Sequence, residues 1–163
     1  MFDFYVSLPG SHMPFCRAVS LFLVVFVASA CSSMHGYANN KPENLTLKPD
    51  IRSGFAQLHV YDIDNACNAI YRGTVKLTNV KMMVGIPVNS LSYLEFSFSD
   101  SSVFSGSHST SSGVYLIPRA GYQYDAVISY IDKMYSSTIY EQDIDGGARS
   151  EIQKIVPKAC VSK

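Results

Sequence analysis

Neither sign of charge dominates this 163-residue chain, and it has little that points to catalysis or to a membrane span. The 13 Lys and Arg residues balance 13 Asp and Glu residues, so the formal net charge is zero. That balance excludes the basic footprint of nucleic-acid recognition, and we expect no nucleic-acid partner. With 47% hydrophobic residues, the composition is typical neither of a disordered chain nor of a multi-span membrane protein.

The most apolar segment, residues 18–30, is too short for an ordinary membrane span. It reads AVSLFLVVFVASA, 13 residues, whereas a transmembrane helix needs about 20. Arg17 before the run and small residues at its end are typical of a secretory signal peptide. Asp3 fits such a signal poorly. We therefore predict a signal peptide over residues 1–30, with translation starting at Met13.

The residues Ala28-Ser29-Ala30-Cys31 at the end of this run resemble the lipobox of bacterial lipoproteins. The resemblance covers four residues, and it implies that Cys31 receives a diacylglyceryl group, that the signal is cleaved, and that the new amino terminus is acylated. Several acyl chains exceed the two signals that stable anchoring requires. A serine at position 32 implies, by the sorting pattern of enterobacterial lipoproteins, the inner leaflet of the outer membrane, facing the periplasm. A secreted protein cleaved at Ala30 and an uncleaved anchor are the alternatives.

Beyond the lipidated cysteine, the chain changes character twice. Residues 31–50 are polar and proline-punctuated, without apolar periodicity, and we predict a flexible tether there. Residues 51–163 then show period-two alternation, most clearly where Leu94, Phe96 and Phe98 share one face. The alternating stretches are FAQLHVYD, GTVKLTNV, MVGIPV, LSYLEFSFS, VYLIP, YQYDAVISYI and SSTIYE. They predict an all-β domain, an antiparallel β-sandwich of six to seven strands.

A short C-terminal helix completes the predicted domain. Ala148, Ile152 and Ile155 recur at i, i+4 and i+7, which is helical spacing. Asp145 and two glycines precede the segment as a start signal, and Pro157 ends it.

The resemblance to lipoproteins also bears on the cysteines. Cys16 falls in the signal and Cys31 carries lipid, which leaves Cys67 and Cys160. In an oxidising envelope compartment we expect these two to form a disulfide. A closed loop of roughly 100 residues contributes about 4.7 kcal/mol in the chain-entropy model, and the bond would hold the terminal helix in place.

The sequence contains no recognisable set of catalytic residues. His59 lies on the outer face of a predicted strand, where a surface or partly packed role is expected. His108 lies in the serine-rich segment 101–113, which we interpret as a flexible hairpin loop. A Ser-His pair there can in principle supply a nucleophile and its base. However, no G-x-S-x-G elbow is present, and we predict no catalytic residues, no cofactor and no enzyme.

Two acidic stretches are weak calcium candidates. Asp62 and Asp64 alternate in YDIDNACN but supply too few oxygen ligands. In EQDIDGGARSEI, Glu141, Asp143 and Asp145 match positions 1, 3 and 5 of an EF-hand loop, but the twelfth position lacks the bidentate carboxylate. Acidic residues that precede a helix explain the same pattern, and we predict no metal.

Tyrosines concentrate in the C-terminal half, and they permit two interpretations. On an exposed sheet face they can bind a sugar or a protein, and as buried side chains they complete the core, which we favour. The six tyrosines concerned are Tyr115, Tyr122, Tyr124, Tyr130, Tyr135 and Tyr140.

The segment between residues 113 and 130 is loosely similar to an F-x-P-x-x-G-x-x-Y step found in small bacterial lipoproteins. Leu116, Pro118, Gly121 and Tyr124 occupy the matching positions, with leucine in place of the aromatic residue. The similarity covers one hairpin and implies a sandwich, with no activity attached.

These observations predict a lipid-anchored, non-enzymatic module of the bacterial envelope that binds a protein or cell-wall component. The alternative is a periplasmic inhibitor or immunity protein that neutralises a toxin or hydrolase by inserting the loop 101–113 into its target. The fold class alone does not choose between them.

Overall fold

The computed structural model describes residues 35–102 and 106–153, all within one compact unit that spans Met34–Lys163. The described residues contain nine β-strands and no helix, and hence no helix that could span a membrane. The strands are β1 (Leu45–Ile51), β2 (Phe55–Ile63), β3 (Ala69–Leu77), β4 (Met82–Val84), β5 (Ser92–Ser102), β6 (Gly106–Leu116), β7 (Tyr122–Ile131), β8 (Met134–Asp143) and β9 (Ser150–Glu151).

The strands form two sheets that face each other across one core. The five-stranded sheet has the order β4-β1-β7-β8-β9, and the four-stranded sheet has the order β3-β2-β5-β6. All neighbouring strands are antiparallel except β1 and β7, which run parallel. The predicted all-β sandwich is therefore confirmed, with nine strands rather than six or seven.

The core is built by the alternation that the sequence shows. Leu94, Phe96 and Phe98 of β5 are at most 1% exposed, as their shared face predicts. The inward-facing residues of the other strands join them in one cluster, and these include Leu45, Leu47, Ala56, Leu58, Val60, Val114, Tyr124, Ala126, Ile128, Tyr130 and Ile139. Burying a large apolar side chain stabilises the fold by about 1.5–3 kcal/mol.

The chain crosses between the sheets at the corner from β6 to β7. Leu116 and Pro118 are buried at this corner, and Gly121 turns it with a φ of +80°. The Tyr124 hydroxyl lies 2.8 Å from the Arg119 backbone N–H and accepts a hydrogen bond from it. A buried tyrosine that fixes a corner through its hydroxyl is a known device of β-sandwiches, and it explains the spacing of the motif.

The predicted tether is partly wrong, because β1 begins at Leu45. Lys48, Pro49 and Asp50 do not look like strand residues in the sequence. They lie in the part of β1 that has no β4 partner, because β4 pairs only with residues 45–47. Pro49, which has no N–H, therefore lies where β1 has a partner on one side only, as proline in a sheet requires. The domain thus includes residues that the sequence assigned to the segment 31–50.

Two further predictions are corrected by the strands. The helix predicted from Ala148 is absent over residues 148–153, where β9 pairs Glu151 with Tyr140 of β8; the rest of that segment lies outside the described residues. The serine-rich segment 101–113 is no loop over residues 106–113. Those residues belong to β6, which pairs with β5 from Leu116 back to Gly106. Backbone pairing therefore outweighs the loop-like composition.

Candidate functional site

Four tyrosines form a continuous row across the outer face of the four-stranded sheet. Tyr71, Tyr61, Tyr93 and Tyr115 belong to β3, β2, β5 and β6, and each is the direct cross-strand partner of the next. Their ring centroids are separated by 5.5, 5.8 and 4.8 Å in that order. Contacts of this kind contribute about 0.5–1.5 kcal/mol each beyond area burial. We call these four residues the tyrosine row.

A β-bulge brings Tyr71 into the row. Leu77 and Val75 of β3 point toward the core, so unbroken alternation would direct Tyr71 inward as well. The register shifts, however: Val60 pairs with Gly73, and Tyr61 pairs with Tyr71. Arg72 is the extra residue, and an extra residue reverses the side to which the following side chains point. The bulge thus places an aromatic ring, 44% exposed, at the end of the row.

Gly73 makes the bulge possible. Its φ of +141° is one that residues with a side chain rarely adopt, and a Cβ there would lie 2.6 Å from the Tyr37 Cα. The residues beside Tyr37 pair with the bulge, because the Tyr37 N–H donates to the Thr74 carbonyl and the Thr74 N–H donates to the His35 carbonyl, both at 3.0 Å. Glycine therefore permits both the bulge and the close approach of the N-terminal segment.

A second glycine sets the orientation of Tyr93. Gly113 on β6 faces the same side of the sheet, and a Cβ added there would overlap the hydroxyl and ring atoms of Tyr93. The phenol ring therefore lies across the bare backbone of Gly113 instead of standing up from the sheet. This arrangement holds the row close to the sheet surface.

Polar side chains line one flank of the tyrosine row. His59 Nδ1 lies 2.7 Å from the Thr74 hydroxyl, and His59 Nε2 lies 3.0 Å from the Ser97 hydroxyl. The Tyr61 hydroxyl donates to a Glu95 carboxylate oxygen at 3.3 Å. Hydrogen-bonding groups therefore stand beside the aromatic rings, on the face that is not packed in the core.

Two tyrosines of the row, Tyr61 and Tyr93, present neutral hydroxyl donors. Burial raises the pKa of Tyr61 above its ordinary value of 10.0, and the charge and hydrogen bond of Glu95 raise it further. Burial, followed by the charge of Glu95, also raises the pKa of Tyr93. Because a raised pKa favours the protonated phenol, both hydroxyls remain uncharged at physiological pH.

His59 and Ser97 have the contact of a base and a nucleophile, but their surroundings do not suit acyl transfer. The other ring nitrogen faces the Thr74 hydroxyl instead of a carboxylate. Both residues lie on strands paired on two sides, so their backbone N–H groups are used in ladders and cannot form an oxyanion hole. This flank is suited to hydrogen bonding a bound ligand.

The outer face of the five-stranded sheet is built differently. Asp125 lies 2.7 Å from the Lys48 ammonium and 3.6 Å from the Arg149 guanidinium. Arg149 also lies over the Tyr140 ring, 3.9 Å from its centroid. At the end of the same sheet, Tyr122 packs against the core from the inner side, and Arg119 lies over its ring, 3.8 Å from the centroid. On the outer face, the Tyr140 ring is thus occupied by one of the chain's own cations.

The weak calcium candidates are not brought together. Glu141 is held at 2.8 Å by Arg119, while Asp143 accepts the Asp145 N–H at 2.9 Å in the turn that follows β8. In the other acidic stretch, Asp62 pairs with Arg72 at 2.7 Å. Within residues 35–102 and 106–153, no group of three potential ligands is placed to hold a metal ion.

The structure describes only some of the remaining predicted site residues. Cys67 follows β2 and is disulfide-bonded. Cys160 lies outside the described residues, so its pairing with Cys67 stays a prediction. Cys31 also lies outside them. His108 is exposed on β6, where it is the cross-strand partner of Asp100. His59 is partly packed, as expected.

The predicted tyrosines divide among different environments. Tyr124 and Tyr130 are buried in the core, as favoured, and Tyr115 belongs to the tyrosine row. Tyr61, Tyr71 and Tyr93 are not among the tyrosines that the sequence pattern singles out. Period-two alternation does indicate an outward face for two of them, because it places Tyr61 on the same side as His59 and Tyr93 on the same side as Glu95.

Comparisons with protein-family models, with curated proteins and with solved structures found no match to this chain. The site is therefore interpreted from its own geometry and chemistry.

Proposed function

We propose that the chain is a lipid-anchored, non-enzymatic module of the bacterial envelope that binds a cell-wall glycan on its tyrosine row. The observation that carries the proposal is the row itself, four cross-strand tyrosines on one solvent-facing sheet surface. The lipid anchor at Cys31 and the location at the outer membrane rest on the lipobox resemblance. A domain anchored in this way faces the cell wall.

The chemistry of the row favours a carbohydrate. A pyranose ring has apolar C–H faces and hydroxyl edges, and tyrosine offers an apolar ring with a polar tip. Beside the rings, the Glu95 carboxylate and the Ser97 hydroxyl supply an acceptor and a further hydrogen-bonding group for sugar hydroxyls. The Glu95 carboxylate disfavours strongly anionic ligands, because like charges at an interface are unfavourable. A neutral or N-acetylated glycan strand fits these groups best.

The alternative function, an inhibitor of a toxin or hydrolase, receives no separate support. It relied on residues 101–113 as an inserting loop, and residues 106–113 form a regular strand. The hairpin connection at residues 103–105 lies outside the described residues. The inhibitor function stays a prediction.

Glycan binding is tested by cosedimentation of the full-length protein with purified peptidoglycan. We expect Tyr61→Ala to weaken binding by about 30-fold or more, since central aromatic anchors at interfaces are worth roughly 2 kcal/mol or more. Tyr140→Ala removes a matched tyrosine from the other sheet, and we expect wild-type binding. Equal binding by all three proteins, or none by the wild type, contradicts the proposal.

The anchor is tested separately by metabolic labelling with a radioactive fatty acid and by membrane fractionation. We expect label in the wild type and neither label nor membrane association for Cys31→Ala. Ser32→Asp should keep the label and move the protein to the inner membrane. Label that persists in Cys31→Ala would overturn the assignment of the lipidated residue.

A further inference from the structure

The two sheets have four edge strands, and three of them are protected. β4 has three residues and β9 has two, and the stretches of β1 and β8 that extend past them, residues 48–51 and 134–138, are each shorter than β6. β3 carries the bulge at Arg72, and residues 35–37 pair with its edge through Thr74. Short length, bulges and covering segments are the devices that stop edge strands from associating.

Within the part of the chain that the structure describes, the fourth edge, β6, has none of these devices. It pairs with β5 without interruption over 11 residues, from Gly106 to Leu116. It contains no Lys, Arg, Asp, Glu or Pro. Among the residues that the structure describes, β5 is its only strand partner. A long, regular, uncharged edge presents backbone donors and acceptors to a further strand.

The side chains of β6 suit an identical strand. When two copies run antiparallel about Ser111, Ser109 lies across from Gly113, and Ser107 lies across from Tyr115. These side chains are small or neutral, so no like charges meet, whereas like charges directly opposite each other destabilise a strand pair. Ser107, Ser109 and Ser111 are exposed, so on this face the middle of a second strand meets only small hydroxyls and glycine, and Tyr115 meets a serine.

We propose that β6 is a self-association edge, through which two copies of this chain pair antiparallel about a twofold axis at Ser111. The two four-stranded sheets then form one eight-stranded sheet. A twofold axis makes the contact isologous, the commonest symmetry of homodimers. Because the axis is perpendicular to the sheet, the tyrosine rows of both copies face the same side.

Cysteine cross-linking of the full-length protein in intact cells tests the pairing. In Ser111→Cys, the axis brings the two new thiols together, and we expect a dimer on a non-reducing gel. The matched control is Ser101→Cys, an exposed serine on the neighbouring strand β5, for which we expect monomer. Monomer for both, or equal dimer for both, contradicts the proposal.

A charge variant gives a second, independent readout. Ser111→Lys places two ammonium groups across the axis, and we expect light scattering on purified protein to show a dimer for the wild type and a monomer for the variant. Ser101→Lys should stay dimeric. A monomeric wild type, or a photo-cross-linker at position 111 that captures a different protein instead of a second copy, overturns the assignment.

Discussion

The outer faces of the two sheets use the same residue type for opposite purposes. On the five-stranded sheet, the Tyr140 ring lies beneath Arg149. On the four-stranded sheet, the tyrosine row is contacted by its own members and flanked by polar groups and one carboxylate. On the first face the tyrosine ring is covered by the chain's own cation, and on the second we propose that the tyrosine rings bind a ligand.

The difference teaches that the number of tyrosines matters less than their register. Cross-strand placement on the four-stranded sheet depends on a bulge at Arg72 and on a bare backbone at Gly113. Neither glycine nor bulge contributes a binding group. Each determines where a ring lies, so each can be altered without touching a tyrosine.

The largest expected effect comes from Gly73. In Gly73→Ala the added methyl meets the Tyr37 backbone and the φ of the position is unfavourable, so we expect a loss of more than about 3 kcal/mol in the free energy of unfolding. Gly121→Ala also meets a positive φ, +80°, but has open space around it, and we expect a loss of about 1–2 kcal/mol. Urea unfolding measures both. Equal losses would mean that the contact with Tyr37 contributes little.

A smaller effect is expected at Gly113, within the row. Gly113→Ala displaces the Tyr93 ring, and we expect a loss of about 1–3 kcal/mol in unfolding free energy together with weaker peptidoglycan binding. Ser111→Ala, two residues earlier on the same face, should change the unfolding free energy by less than about 0.5 kcal/mol. Unchanged binding by Gly113→Ala would show that the position of Tyr93 is immaterial.

The pH dependence of stability separates the two faces further. Because the pKa values of Tyr61 and Tyr93 are raised in the folded state, their stabilising effect is complete below the unfolded pKa of about 10 and is lost as pH rises through the folded values. Glu95→Gln removes one cause of the raised pKa, so the alkaline loss should shrink.

Ultraviolet titration of tyrosine ionisation and unfolding at pH 8 to roughly 11, a range that brackets the ordinary tyrosine pKa, measure this effect. Asp125→Asn is the control, since it removes a carboxylate from the other face. An identical alkaline loss in Glu95→Gln and in the wild type would contradict the effect assigned to Glu95.

The smallest effect is expected on the ion-paired face. Asp125→Asn removes the partner of Lys48 and Arg149, and we expect a loss of less than about 1 kcal/mol, because exposed ion pairs are screened by water. The difference from the wild type should diminish further in 1 M salt, where the Debye screening length is only about 3 Å. A loss of several kcal/mol would mean that the ion pairs of that face contribute as much to the free energy of unfolding as the tyrosine row does.

The parts of the fold that follow alternation could be predicted from the sequence. Leu94, Phe96 and Phe98 show their shared face directly, and so does the run from Tyr124 to Tyr130. β1 could not be found in this way. Its alternation is short, and its pairing with β7 connects residues nearly eighty positions apart. Pro49 also argues against a strand, because the sequence does not show that β1 has a strand partner on only one side at this position.

The candidate site was harder to predict than the core. Period-two alternation predicts the wrong face for Tyr71, because the extra residue Arg72 reverses the side of the sheet to which the Tyr71 side chain points. The serines of β6 suggest a loop, yet their strand pairs with β5 along its whole length, and an edge strand tolerates polar side chains on its exposed face. A site made by register across four strands is visible only when all four are aligned.

Nuclear magnetic resonance of the full-length protein with labelled tyrosine rings, titrated with soluble peptidoglycan fragments, tests the central claim most directly. We predict shifts confined to the tyrosine row, Tyr61, Tyr71, Tyr93 and Tyr115, with Tyr122 and Tyr140 unchanged beneath their arginines. Shifts at Tyr122 and Tyr140 instead, or no shift in any ring at saturating ligand, would contradict the assignment of the four-stranded sheet as the binding face.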